Sequence, residues 1–301
     1  MTITTDISTS NTFGSIIDEV IFHLQGFVEG EQTTWLEQDI TETDTVIPVG
    51  NAAGFSKGII EIGTELVRVV AVDPTMNTLT CSPMGRGFRT SVKAAHSSGE
   101  LVTYNPSWPK ATVGRKVNEI VETLYPMLYG VLSAEIDGNG YDYTWPLPED
   151  AEGVVDVRWR GHLHADWQRV RAWEFKQGLP VSDFPSGKGV ILPRGLGSTQ
   201  RLQVLYAAKP TPMANLSDDF IATTGLPASV RQVVTLGVAV QLTQFLDVAR
   251  LRSHQVSPTE LTEPTSAAAV AGALGRQFQA RLEEERRALH AKYPISTHKV
   301  R

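Results

Sequence analysis

The 301-residue chain has a single cysteine, Cys81. That scarcity excludes an intramolecular disulfide framework and any multi-cysteine zinc site. Basic residues are also short: 27 lysines and arginines stand against 33 aspartates and glutamates, for a net charge of −6. A protein whose main work is to grip nucleic acid needs clustered excess positive charge instead. Long apolar runs are missing too. The most hydrophobic window, "VVTLGVAVQLTQFLDVA", is cut by Gln241, Gln244 and Asp247, and is too short and polar to span a bilayer. The opening "MTITTDISTSNTFGSIIDEV" has no basic stretch followed by an apolar core, so a secretory leader is not expected and the chain reads as soluble.

Catalytic signatures are equally scarce. There is no H-E-x-x-H and no phosphate-binding loop, and Cys81 in "TLTCS" reads as a small buried hydrophobe. The most suggestive stretch is "MGRGFRTSVKAAHSSGELVTYNP", Met84 to Pro106. Its "GRGFRT" lacks the third glycine and the following helix that a dinucleotide site requires. A structural turn is expected, with Gly85, Gly87 and Gly99 supplying permissive dihedrals and His96 bonding a neighbouring backbone. An anion held by Arg86 and Arg89 is the competing reading.

His162, His164 and Asp166 share one face if "GHLHADW" is a strand, which is metal-ligand chemistry. Exposed histidines at a strand end are the simpler account. "DGNGYD" places Asp137, Asn139 and Asp142 like part of a calcium loop, without the terminal glutamate, and reads as a turn. Trp145, Trp159, Trp167 and Trp173 crowd thirty residues, as a sugar platform or, more simply, as a small core. No catalytic residue, metal or cofactor is expected, and the chain is not expected to be an enzyme.

What the sequence does have is periodicity. Ile16, Ile17, Val20, Ile21 and Leu24 mark an N-terminal helix within residues 1–33. From 34 to 106 strand-like runs follow: "TVIPVG", "GIIEIG", "ELVRVVAVD", "TLTCS" and "ELVTY". Val113, Val117, Ile120, Leu124 and Leu128 predict a helix in 107–133, kinked or divided at Pro126. A second β-rich region covers 134–215. Helices return over 216–294, with Pro227 in a first turn, a stripe of Leu274, Phe278, Leu282 and Leu289, and an i,i+4 pair of Glu283 with Arg287. Residues 295–301 form a short tail. The expected fold is α+β: an α-helical bundle with two β-rich insertions and a C-terminal tail.

The first β region carries a pattern that resembles a segment of tailed-bacteriophage virion proteins. The matching residues are Gly58, Gly63, Glu65, Asp73, Leu79, Arg86, Gly87, Thr90, Ala94, Ala95, His96, Gly99 and Val102. The usual R-G-x-x-G-T spacing is shortened, since Arg89 directly precedes Thr90. The element order is similar to that of head-to-tail adaptor (connector) proteins. That resemblance implies a ring, typically dodecameric, in the virion neck, made in the host cytoplasm. The ring would join the portal to a downstream neck or tail protein, with genomic DNA passing through its lumen without sequence-specific binding. An acidic subunit suits such a lumen.

The tail would be mobile in the free subunit and dock on the portal. Ile295 and Val300 would supply apolar contacts, and Lys299 and Arg301, beside His298, would pair with acidic groups. The alternative is a baseplate or minor tail protein; from a different class, the tryptophan-rich region would bind host glycan, and a virion hydrolase comes third.

Overall fold

Alternating runs separated by turn residues do become strands, but they build the body of the molecule. The computed structural model describes residues 11–24, 31–138, 143–161, 165–253, 267–296 and 298–299. The helices are α1 (Phe13–Leu24), α2 (Lys110–Thr123), α3 (Phe220–Thr224), α4 (Val230–Ser253) and α5 (Ala267–Lys292). The first strands are β1 (Gln32–Trp35), β2 (Val46–Pro48), β3 (Gly58–Ile62), β4 (Glu65–Asp73), β5 (Thr78–Cys81) and β6 (Leu101–Tyr104). Then come β7 (Gly130–Asp137), β8 (Thr144–Pro146), β9 (Ala151–Arg160) and β10 (Gln168–Arg169). The last are β11 (Trp173–Gln177), β12 (Lys188–Ile191), β13 (Arg201–Ala208) and β14 (His298–Lys299). Two compact units result, one from residues 16–117 and 241–256, the other from 1–15, 118–240 and 257–301.

In the first unit the sheet runs β1-β6-β3-β4-β5-β2. It curls until its edges meet: Leu36 bridges Val49, and the Gly50 N–H donates to the Trp35 carbonyl at 2.9 Å. Alternation sends Ile60, Ile62, Val67, Leu79 and Val102 to the interior, each contributing about 1.5–3 kcal/mol by leaving water. Cys81 lies in this core as a free, buried thiol.

The second unit is a sandwich of two four-stranded sheets, β10-β9-β13-β7 and β14-β11-β12-β8. Trp145, Trp173 and Phe175 from one sheet and Val157, Leu202 and Val204 from the other fill the space between. Two of the four crowded tryptophans are therefore core.

These sheets overturn the expected helical bundle. The molecule is β-rich, with three sheets against five helices among the described residues. The clearest local reversal is at Gly130, where the expected helix gives way to β7. Pro126 lacks an N–H and biases the residue before it towards extended backbone, so α2 stops at Thr123. Gly130 to Asp137 then pairs along the full length of β13. Farther on, Leu282 and Leu289 of α5 are buried while Leu274 and Phe278 are half-buried. Glu283 pairs with Arg286 at 3.0 Å, not with Arg287.

One turn is strained. Phe88–Thr90 forms a single 3-10 turn in which Arg89 has φ 53° and Thr90 has φ 67°. Left-handed backbone is costly for side chains that carry a Cβ, most of all β-branched ones. This is also where the chain lacks the glycine of the R-G-x-x-G-T pattern. Arg89→Gly is expected to raise stability by about 1 kcal/mol in urea unfolding. A lowered midpoint would mean that the contact of Arg89 with the Phe88 ring outweighs the strain.

Candidate functional site

Glu65, the first residue of β4, points into the sheet interior with Val67 and Val69, and is fully buried. A lone carboxylate there would be very costly. It is instead surrounded by donors. Arg86 Nε and Nη2 reach it at 2.8 and 2.9 Å, the Gly87 N–H at 2.9 Å, the Ala94 N–H at 3.1 Å and His96 Nε2 at 3.0 Å. Gly87, at φ 63°, can present its N–H here because it carries no Cβ; an added one would sit 2.9 Å from the Ser91 carbonyl oxygen.

Arg86 uses all five of its N–H donors. Besides the two to Glu65, Nη1 donates to the carbonyls of Thr41 at 2.7 Å and Asp44 at 2.9 Å, and Nη2 to that of Ala94 at 2.7 Å. It has none left for an external anion, so the anion reading does not hold at Arg86. His96 does not bond neighbouring backbone through its ring as expected. Its Nδ1 lies 2.9 Å from a Glu100 oxygen, while its backbone exchanges two bonds with Ile40.

The electrostatics follow from these contacts. Burial alone would raise the Glu65 carboxyl, but bonds from Arg86, His96, Gly87 and Ala94 outweigh it and hold the group down at about 2. His96 is raised, first by its bond to Glu65 and then, against burial, by Glu100. Both ring nitrogens face carboxylate oxygens, an arrangement that the doubly protonated ring satisfies by donating twice. The cluster thus ties residues 41–44, 65, 86–87, 94–96 and 100 together. It fixes geometry and leaves no open face for a substrate.

The other residues of the phage-like pattern serve the same fold. The Gly99 N–H donates to the Leu36 carbonyl at 2.7 Å, and Asp73 accepts the N–H groups of Thr75 and Met76 at 2.9 and 3.1 Å. Leu79 and Val102 are core, and Thr90 Oγ1 accepts from Arg115 at 3.3 Å. The pattern is a folding signature. No family model and no curated protein matches the sequence. Glu65 could have been singled out from alternation alone: "ELVRV" puts one acid on the apolar face of a strand, and such an acid demands partners.

The second unit carries a different feature. A cavity of about 320 Å³ is lined by Trp159, Arg169, Arg171, Leu192 and Arg194, among others. Arg194 lies over the Trp159 ring at 5.1 Å, and Arg160 over Trp167 at 4.4 Å. Arg169 is held by Asp156 at 2.5 Å, whereas Arg171 and Arg194 form no ion pair among the described residues.

The Ser296 N–H donates to the Val154 carbonyl at 2.9 Å, and the backbone of His298–Lys299 pairs antiparallel with Trp173–Glu174 of β11. Ile295 is 39% exposed; Val300 and Arg301 lie outside the described residues. So do His162, His164, Asn139 and Asp142, while Asp137 pairs with Arg201 at 2.5 Å. Among the described residues no His/Cys/Asp/Glu group is arranged to hold a metal ion, and no helix is long and apolar enough to cross a membrane.

Proposed function

We propose that the chain is a structural protein of a tailed-phage virion, acting through contacts with its own copies and with neighbouring virion proteins. The observation that carries this reading is the Glu65–Arg86–His96 cluster. Glu65, Arg86, Gly87, Ala94 and His96, among the residues that make the sequence resemble phage virion segments, are bound to one another in it. A likeness that includes a whole buried, mutually dependent network speaks for kinship of the domain rather than for chance. The baseplate or minor tail placement ranks ahead of the neck adaptor ring. The ring drew on a helical bundle, which the β-rich fold replaces, whereas the tail placement needs only the β domain.

Immunogold labelling of virions of the encoding phage tests this. Gold at the tail tip or baseplate supports the preferred placement, and gold at the neck supports the adaptor. Absence from purified virions overturns both.

A second reading, recognition of host glycan, is favoured by the arginine-lined cavity. Arg171 and Arg194, lining one cavity with an indole in a chain of net charge −6, suit a saccharide bearing a carboxylate. The indole edge and Leu192 would meet its apolar face. Binding to an acidic-glycan array, lost in Arg171→Ser/Arg194→Ser with unchanged melting, is the expected result. Equal binding by that variant would rule the cavity out.

A further inference from the structure

The outer face of the first unit's sheet holds a patch that the buried cluster does not use. The alternation that sends Glu65, Val67 and Val69 inward sends Arg68 and Val70 of β4 outward. On β3, Ile59 stands opposite Arg68 in the antiparallel register. Phe88 and Arg89 reach the same face from the strained turn. With Lys57 these residues line an open cavity of about 610 Å³, and the described residues around it include three cations and no acid. In a chain of net charge −6 that gathering of positive charge runs against the background.

The cations are placed by the fold. The turn is fastened to β4 at both ends: the Arg68 N–H donates to the Gly85 carbonyl at 2.8 Å, and the Leu66 N–H to Ser91 Oγ at 2.9 Å. From the inside, the Gly87 N–H ties it to Glu65. The guanidinium carbons of Arg68 and Arg89 lie over the Phe88 ring, 5.8 and 5.7 Å from its centroid, so one aromatic holds two charges. Arg89 keeps its position at φ 53°, in a backbone region that suits glycine better. Strain of this kind gathers at ligand-binding positions.

We propose that this face binds an acidic peptide segment of a neighbouring protein. Its carboxylates pair with Lys57, Arg68 and Arg89, and its aliphatic side chains cover Ile59 and Val70, the latter 40% exposed. Both β3 and β4 are interior strands of the order β1-β6-β3-β4-β5-β2, so the peptide cannot add as a further strand and is read through side chains. A nucleic-acid strand fits less well. Single strands stack their bases on open aromatic faces, whereas Phe88 already carries two guanidiniums. A sugar–phosphate backbone also offers little apolar surface to Ile59 and Val70. That the neighbour is a virion protein rests on the proposed function; the acidic-peptide site does not, so the two can fail separately.

Fluorescence anisotropy of a labelled peptide of alternating glutamate and valine, titrated with the full chain at low salt, tests the site. Saturable binding is expected, and its loss when glutamine replaces glutamate in the peptide. Arg89→Gly is expected to weaken binding about tenfold or more while melting no lower than wild type, so unfolding cannot account for the loss. Should that variant melt lower, Lys57→Gln, at an exposed position outside every strand, is expected to weaken binding in the same way. No saturable binding, equal binding by both variants, or equal binding of the glutamine peptide would overturn the proposal. Tighter binding of labelled oligothymidine than of the acidic peptide would overturn it in favour of nucleic acid.

Discussion

Glu65→Gln is expected to destabilise the first unit by about 3–5 kcal/mol, the usual cost of removing one partner from a buried ion pair. The substitution keeps shape and volume, so packing is not the cause. The carboxylate accepts from Arg86 twice, from Gly87, from Ala94 and from His96. A glutamine offers one oxygen and turns an NH₂ towards some of the same donors. Arg86 would keep its charge, 2% exposed, with no counter-charge in contact.

The pH dependence sharpens the test. Glu65 is held at about 2, below its ordinary 4.5, so its stabilisation is present above pH 4.5 and is lost as pH falls towards 2. His96 is raised above 6.5, so its part is complete below pH 6.5 and is lost as pH rises through its folded value. Wild-type stability from this cluster should therefore peak between about pH 4.5 and 6.5, and Glu65→Gln should flatten both limbs. Urea unfolding across pH would show it. A loss below about 1 kcal/mol at pH 6 would mean that the cluster contributes no more than an exposed pair.

Much of the first unit was legible because its strands alternate cleanly between turns. β1 was not, since "QTTW" buries only Thr34 and carries no apolar alternation. It is a strand because β6 pairs with it across the chain, a long-range fact invisible in the local pattern. The same blindness produced the expected bundle. Apolar helices are conspicuous in sequence, but which elements form the body depends on strand pairing between distant segments.

At the site, Arg86 and His96 looked like turn residues because their partner lies 21 and 31 positions away. Gly87 and Gly99 take the left-handed backbone expected of them, whereas Gly85 does not. What Gly87 permits is N–H access to a carboxylate, and this needed the fold. The tail looked loose for a similar reason: the partners of Ser296 and of His298–Lys299, Val154 and β11, lie far away in the sequence.

Glu61→Gln is expected to act in the opposite direction and stabilise the protein at pH 8 by about 2–3 kcal/mol. Glu61 lies on β3, is 7% exposed, and accepts the Lys110 N–H at 2.6 Å in the first turn of α2. Burial pushes its carboxyl up to about 7. The Lys110 bond and charge oppose the shift, and Glu31 and Asp18 add to it. The difference from Glu65 is one of donors: five converge on Glu65, while one backbone N–H meets Glu61. A group raised from 4.5 to about 7 binds its proton more tightly in the folded state, so stability falls as pH rises between those values, by about 3 kcal/mol in all. Glutamine can still accept the Lys110 N–H and never ionises. The variant should match wild type near pH 4.5 and exceed it increasingly up to pH 7.5 or so. Negative charge at a helix N-terminus is favourable, which places the gain at the lower end of the range. A stability difference that stays constant between pH 5 and pH 8 would show that Glu61 ionises as freely folded as unfolded, and hence that water reaches it.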